Sequence, residues 1–212
     1  MPVFYQHDIN GSTKLGVWHI QEQEDFFLAK VPLQREITHP HKRLQHLAGR
    51  YLLQYLFPDF PYELIQIADT RKPFLINEAY HFSISHCGNY AAALVSSNQR
   101  VGVDIEISTP KIARILHKFL NEDEKHFLFT YNYHDADDLK MPPGPQHNAI
   151  YRLPTLLWSA KEAVFKWHGN GGVDFSEHIR LQPFEFGNEG NINCAFTKFS
   201  NTGLMLDYRL FS

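Results

Sequence analysis

Cysteine is scarce: Cys87 and Cys194 are the only two in 212 residues. Two thiols cannot form a disulfide framework, and they suit a reducing cytosol. No apolar run reaches the roughly 18 residues of a membrane-spanning helix. The stretch Met1 to Asn10 carries His7 and Asp8 and lacks the hydrophobic core of a secretory signal, so a cytoplasmic protein is expected. Neither charge sign dominates, with 20 basic against 23 acidic side chains and a formal charge of −3. That balance gives no general attraction to nucleic acid or to an anionic membrane, so any anion-binding site must be local. Gly-rich phosphate loops of the GxxxxGK and GxGxxG types are absent, and no short-period repeat is visible. What is present is a globular composition: aromatics at 14% and charged residues at only 20% exclude a disordered chain. The length suits one compact unit or two small lobes with a sizeable core.

Helical periodicity is first clear from His41 to Phe57, where Leu44, Leu47, Ala48, Tyr51, Leu52, Tyr55 and Leu56 form one stripe and Pro58 closes the segment. Arg43 and Arg50, seven residues apart, are expected to point away from that stripe, as a solvated face or as a phosphate-facing one. A β region follows. Phe82 and Ile84 alternate with Ser83 and Ser85, Cys87-Gly88-Asn89 reads as a turn, and Tyr90 to Val95 reads as a buried strand. A third strand is expected over Val101 to Ile107, with Gly102, Asp104 and Glu106 sharing one face. Ile112, Ile115, Leu116 and Phe119 return to helical spacing, and Asn121 with Glu124 resembles a capping box. Tyr131 to Pro154 reads as a long mobile loop. A helix is expected from about Leu157 until Gly169 to Gly172 end it, and strands and turns run from there to Ser212. The pattern predicts an α+β protein of two lobes, residues 1–97 and 98–212.

Chemistry concentrates in two places. Asp104 and Glu106, two residues apart in an extended segment, sit ~7 Å apart on one face. They are either solvated or share a cation. In Trp158-Ser159-Ala160-Lys161-Glu162-Ala163-Val164-Phe165-Lys166-Trp167, the residues Ala160, Ala163, Val164 and Trp167 form a core stripe. Glu162 and Lys166 share the other face, with Lys161 at its edge. Alone, Glu162 and Lys166 read as an ordinary surface ion pair. Together, Asp104, Glu106 and Glu162 offer three carboxylates to a hard cation such as Mg²⁺. Arg43, Arg50, Lys72, His86, Lys161 and Lys166 are cationic candidates around it. A carboxylate-held Mg²⁺ ringed by Lys and Arg suits attack at phosphorus of a polyanionic substrate, not proteolysis or hydride transfer. A Cys87–His86 nucleophile is disfavoured because adjacent residues at a strand end point apart. The histidines 39, 41 and 46 read as chance proximity, and the acids Asp135, Asp137 and Asp138 as a solvated loop.

These residues resemble a family. Val101-Gly102-Val103-Asp104-Ile105-Glu106 and the Trp158 to Lys166 stretch are similar to the paired signatures of the 4′-phosphopantetheinyl transferases. Lys72-Pro73 with Phe82-Ser83-Ile84-Ser85-His86 resembles that family's upstream motif. Phe119-Leu120-Asn121 with Glu124 resembles its aromatic–turn–Glu stretch. The likeness runs from about Lys30 to Gly172, and the length resembles the long, surfactin-synthetase-activating type more than the short trimeric type. It implies a pseudo-dimer of two α+β lobes with the active site and coenzyme A in the cleft between them. It further implies Mg²⁺ on Asp104, Glu106 and Glu162, with the second lobe carrying these metal-binding signatures, Lys166 on the pyrophosphate, and Glu162 as the family's candidate base. Ser85 and His86 would meet the 3′-phosphoadenosine end, Lys72 and Pro73 would line the adenine pocket, and Lys161 would be a further coenzyme contact. Arg35, Arg43, His46 and Arg50 are the alternatives for the family's N-terminal phosphate contacts.

The activity so implied is Mg-dependent transfer of 4′-phosphopantetheine from coenzyme A to a serine of an apo acyl- or peptidyl-carrier protein, releasing adenosine 3′,5′-bisphosphate. The competing readings are an inactive coenzyme A- or carrier-binding relative and a carboxylate-metal nucleotide phosphodiesterase. A monomer is expected, because residues of both halves complete the site within one chain.

Overall fold

The computed structural model describes residues 3–33, 36–132 and 150–211. Its elements are mixed α and β, and the chain divides into two compact units. The first holds residues 1–105 with 165–171, and the second holds 106–164 with 172–212.

The first unit is built on a four-stranded antiparallel sheet of β1 (Val3–Asn10), β2 (Thr13–His19), β5 (His81–Cys87) and β6 (Tyr90–Ser96), in the order β1-β2-β6-β5. As its apolar run predicts, β6 is central, with Ala91, Ala92, Ala93 and Val95 at most 1% exposed. Its small side chains leave room for helix α2 (Pro40–Leu56), which packs against β2, β5 and β6. The approach is tight at Gly49, where a Cβ would lie 2.6 Å from Ile84 Cγ2 of β5. Trp18, Phe27, Leu47, Leu52 and Leu53 join the same core, and short helix α1 (Glu24–Leu28) packs beside α2. Gly88, at φ 54°, opens the turn that joins β5 to β6, as read from the sequence. A small hairpin of β3 (Ile65–Ile67) and β4 (Pro73–Leu75) completes the unit.

The second unit has a three-stranded antiparallel sheet of β7 (Ile179–Leu181), β8 (Glu189–Phe196) and β9 (Thr202–Arg209). With it go α3 (Leu116–Phe119), α4 (Glu122–Asn132), most of α5 (Arg152–His168) and α6 (Phe175–His178). The Asn121–Glu124 capping box is present in both directions: Glu124 N–H donates to Asn121 Oδ1 at 2.9 Å, and Asn121 N–H to a Glu124 carboxylate oxygen at 3.0 Å.

Five expectations need correction. Residues 101–109 form neither helix nor strand. Val103 N–H bonds the Ser83 hydroxyl at 3.1 Å, so a side chain holds this segment where a ladder was expected. Helix α5 begins at Arg152, not near Leu157, because Pro154 falls in the first turn, whose N–H groups lack intrahelical partners anyway. The loop expected from Tyr131 therefore loses both ends to helix, and its residues 133–149 lie outside the described ones. Arg50 is 4% exposed and not on a solvated face, since it stands three residues from both Leu47 and Leu53 in the buried stripe. In α5 the buried stripe is Leu153, Leu157, Ala160, Lys161 and Val164, while Ala163 and Trp167 are only half-buried.

Candidate active site

Strand β5 puts Ser83 and Ser85 on one face, and both are buried. Each hydroxyl tethers the extended segment beside it. Ser83 takes Val103 N–H, and Ser85 Oγ donates to Asp104 Oδ1 at 2.8 Å. Lys166 Nζ reaches the same Oδ1 at 2.6 Å and Ser85 Oγ at 2.8 Å. The Asp104 side chain is only 4% exposed. Its other oxygen, Oδ2, is buried without a hydrogen-bond partner among the described residues. Leaving a buried acceptor unmet costs about 1–3 kcal/mol or more for a charged group. One oxygen is thus held by Ser85 and Lys166 while the other is offered, a donor set that fits a hard cation.

In the second unit, Glu106 Oε1 accepts from Trp158 Nε1 at 3.3 Å. Trp158 is itself packed edge-on to Phe119, with ring centroids 5.2 Å apart. Half-buried Glu162 follows Trp158 by one helical turn, and Lys166 follows by two. Within the second unit, Trp158, the partner of Glu106, therefore precedes Glu162 by one turn of α5. No group of three or more His, Cys, Asp or Glu side chains is gathered as a metal site among the described residues.

Lys161 is a correction. Expected to contact a ligand, it is 0% exposed and donates to the carbonyls of Phe119, Phe175 and Ile179 at 2.7–2.8 Å. It also bonds Glu124 Oε2 at 2.6 Å. Burial lowers its pKa and the Glu124 carboxylate opposes that shift. Glu124 spends its other oxygen on Leu181 N–H at 2.8 Å, tying α4, α5 and β7 together. The capping box is legible in sequence, but this second role of Glu124 is not. Trp158 as the holder of Glu106 and Ser83 as a tether were equally unforeseen.

The remaining expected residues are placed as follows. His86 ends exposed on β5, its pKa lowered by desolvation and then by the charges of Lys166 and His41. Arg43 is engaged by Glu24 at 2.7 Å and by the Ile37 carbonyl at 2.9 Å. Pro73 opens β4 opposite Ile67, and Lys72 Nζ bonds the Lys166 carbonyl at 2.5 Å. Burial, with the charge of Arg100 adding to it, lowers the Lys72 pKa. Arg35, Asp135, Asp137 and Asp138 lie outside the described residues. An open groove of about 720 Å³ on the second unit, lined by His126, Phe127, Arg180 and Gln182 among others, contains none of the expected site residues.

Residues 100–210 match the family described as "4′-phosphopantetheinyl transferase superfamily", a span that includes Asp104, Glu106, Glu162 and Lys166. The chain is similar to enterobactin synthase component D of Salmonella austin, 32% identical over 145 residues, which cover 68% of this chain and 52% of that protein. It is 41% identical over 132 residues to enterobactin synthase component D of Escherichia coli (strain K12), covering 59% and 54% respectively. The 4′-phosphopantetheinyl transferase AcpT of Escherichia coli (strain K12) is 28% identical over 154 residues, 70% of this chain and 72% of that one. The chain spans about half the length of the enterobactin synthase relatives it matches.

Proposed function

The chain belongs to the 4′-phosphopantetheinyl transferase superfamily, and from that premise we propose that it moves 4′-phosphopantetheine from coenzyme A to a serine of an apo acyl- or peptidyl-carrier protein. The observation that carries this reading is Asp104: a buried carboxylate with Oδ1 held by Ser85 and Lys166 and Oδ2 without a donor among the described residues. With Glu106 and Glu162 it would hold Mg²⁺, which when bound neutralises the pyrophosphate of coenzyme A. Lys166 contributes a second positive charge toward the same phosphates. The carrier serine oxygen forms a bond to the pantetheine-side phosphorus, the bond from that phosphorus to the bridging oxygen breaks, and adenosine 3′,5′-bisphosphate leaves. Glu162, half-buried on the same helical line, is proposed to accept the serine proton. Ser85, His86 and Arg43 are proposed to serve the 3′-phosphate end, with Pro73 beside the adenine. For Arg43 this requires donors beyond those engaged by Glu24 and Ile37.

Within the second unit, the set is supported by Trp158, which holds Glu106 one helical turn before Glu162. We further propose the long, surfactin-synthetase-activating type, a monomer with its site complete in one chain, and a cytoplasmic location, consistent with a cysteine count too low for a disulfide framework.

The test is incubation with coenzyme A, Mg²⁺ and a panel of apo carriers, followed by intact-mass measurement of the carriers. A gain of one phosphopantetheine group is expected. Coenzyme A binding without a mass gain would instead identify an inactive relative. Coenzyme A cleavage without a carrier would identify a phosphodiesterase.

A further inference from the structure

Helix α5 ends at His168, and its last carbonyls need donors from outside the helix. The Phe165 carbonyl receives Gly169 N–H at 3.0 Å. The Lys166 carbonyl receives Lys72 Nζ at 2.5 Å, and the Gly169 carbonyl receives Thr70 Oγ1 at 3.0 Å. Both side chains come from the β3–β4 turn, which is braced internally by Ala68 N–H to the Lys72 carbonyl at 2.9 Å and Arg71 N–H to the Ala68 carbonyl at 2.7 Å. The Lys72 stem fills the space a side chain at position 169 would need: a Cβ there would lie 2.6 Å from Nζ and 2.7 Å from Cδ. Gly169 also has φ +77°, a conformation that favours glycine. A cation at a helix C-terminus is favoured by the helix dipole as well.

We infer that Lys72, with Thr70, is a positioning residue that clamps the end of α5 and so fixes the Lys166 ammonium against Asp104 and Ser85. A lysine lining an adenine pocket would present its ammonium to the ligand. This one donates to the backbone of the residue whose own side chain holds Asp104. The clamp stands on geometry within the first unit alone. Only its kinetic consequence rests on the transferase reading.

Two measurements on the full chain test it. In Lys72→Met and Thr70→Val, amide hydrogen exchange across residues 165–171 should quicken several-fold while β6 amides keep wild-type rates. In carrier modification, Lys72→Met should lower kcat by about 10- to 100-fold, the scale of a small misplacement of a charged group, with KM for coenzyme A unchanged. Lys72→Arg, which keeps a donor, should recover most of that loss. In a Lys166→Met background, Lys72→Met should cost far less than it does alone, because both changes act through one group. Unchanged exchange at 165–171 would overturn the clamp, and so would a raised KM at constant kcat, the mark of a direct coenzyme contact. A wild-type protein without transfer activity would refute the proposed function, and the exchange measurement would then decide the clamp by itself. If Lys72→Met does not fold, Lys72→Gln and Thr70→Val supply the same comparison.

Discussion

Replacing Lys161 with Met removes one ammonium and keeps most of the volume, which isolates the electrostatic role of a side chain with 0% exposure. The change strips a donor from three backbone carbonyls, those of Phe119, Phe175 and Ile179, and from the Glu124 carboxylate. Glu124, 2% exposed, would keep only its N–H donors from Asn121 and Leu181. Removing one partner of a buried ion pair costs about 3–5 kcal/mol, because the other charge stays buried and uncompensated. For a chain of this size that corresponds to a fall in Tm of roughly 6–20 °C. Circular dichroism melting at neutral pH measures it. Lys161→Met combined with Glu124→Met should recover part of the loss, since no lone charge remains. Coenzyme A affinity, measured by calorimetry on folded protein, should be retained in Lys161→Met. A Tm within about 2 °C of wild type would show that Lys161 does not hold a buried charge pair together. Unchanged stability with weakened coenzyme A binding would return Lys161 to the coenzyme contact that the resemblance implies.

Asp104→Asn keeps the side-chain volume but should lose nearly all Mg-dependent transfer, and Glu162→Gln should do the same. Asp104→Ala should additionally lose about 1–3 kcal/mol by denaturant titration, because Lys166 and Ser85 then lack their acceptor. Burial pushes the Cys194 thiol up to about 11 from 9.0, so iodoacetamide at pH 8 should label half-buried Cys87 well before Cys194 unless the protein is unfolded. The folded thiol holds its proton above its unfolded pKa, so its contribution to stability is complete below about pH 9 and fades toward 11, a slope that Cys194→Ala should remove. Dephospho-coenzyme A, which lacks the 3′-phosphate, should bind about 10- to 150-fold more weakly than coenzyme A by calorimetry, the worth of one charge-assisted contact. Equal affinities would show that Ser85, His86 and Arg43 do not read that phosphate.

Local signals carried the sequence reading far where one physical cause dominated. The Leu stripe of α2, the Ala-rich β6 and the Asn121–Glu124 box are set by burial or capping within a few residues, and the structure forms all three. The reading failed where distant groups decide. Period-2 alternation over Val101 to Ile107 looks like a strand, yet Ser83 and Ser85 tether it through side chains. Lys161 looks solvated because lysines usually are, and only the meeting of three carbonyls with Glu124 makes an interior ammonium affordable. Arg50 fails for the same reason: its place in the buried stripe outweighs its charge. Within the candidate site, sequence alone singled out Asp104, Ser85 and Lys166. Their mutual hydrogen bonds could be seen only once β5 and α5 had been placed.

In the proposed reaction, one phosphorus–oxygen bond of coenzyme A is exchanged for a bond to a carrier serine. Two preparations of coenzyme A, one labelled in the pantetheine half and one in the adenine half, test it directly when each is incubated with the protein, Mg²⁺ and an apo carrier. The pantetheine label should move onto the carrier, while an equal amount of adenine label appears as adenosine 3′,5′-bisphosphate. Both labels remaining in small molecules, or both arriving on the carrier, would contradict it.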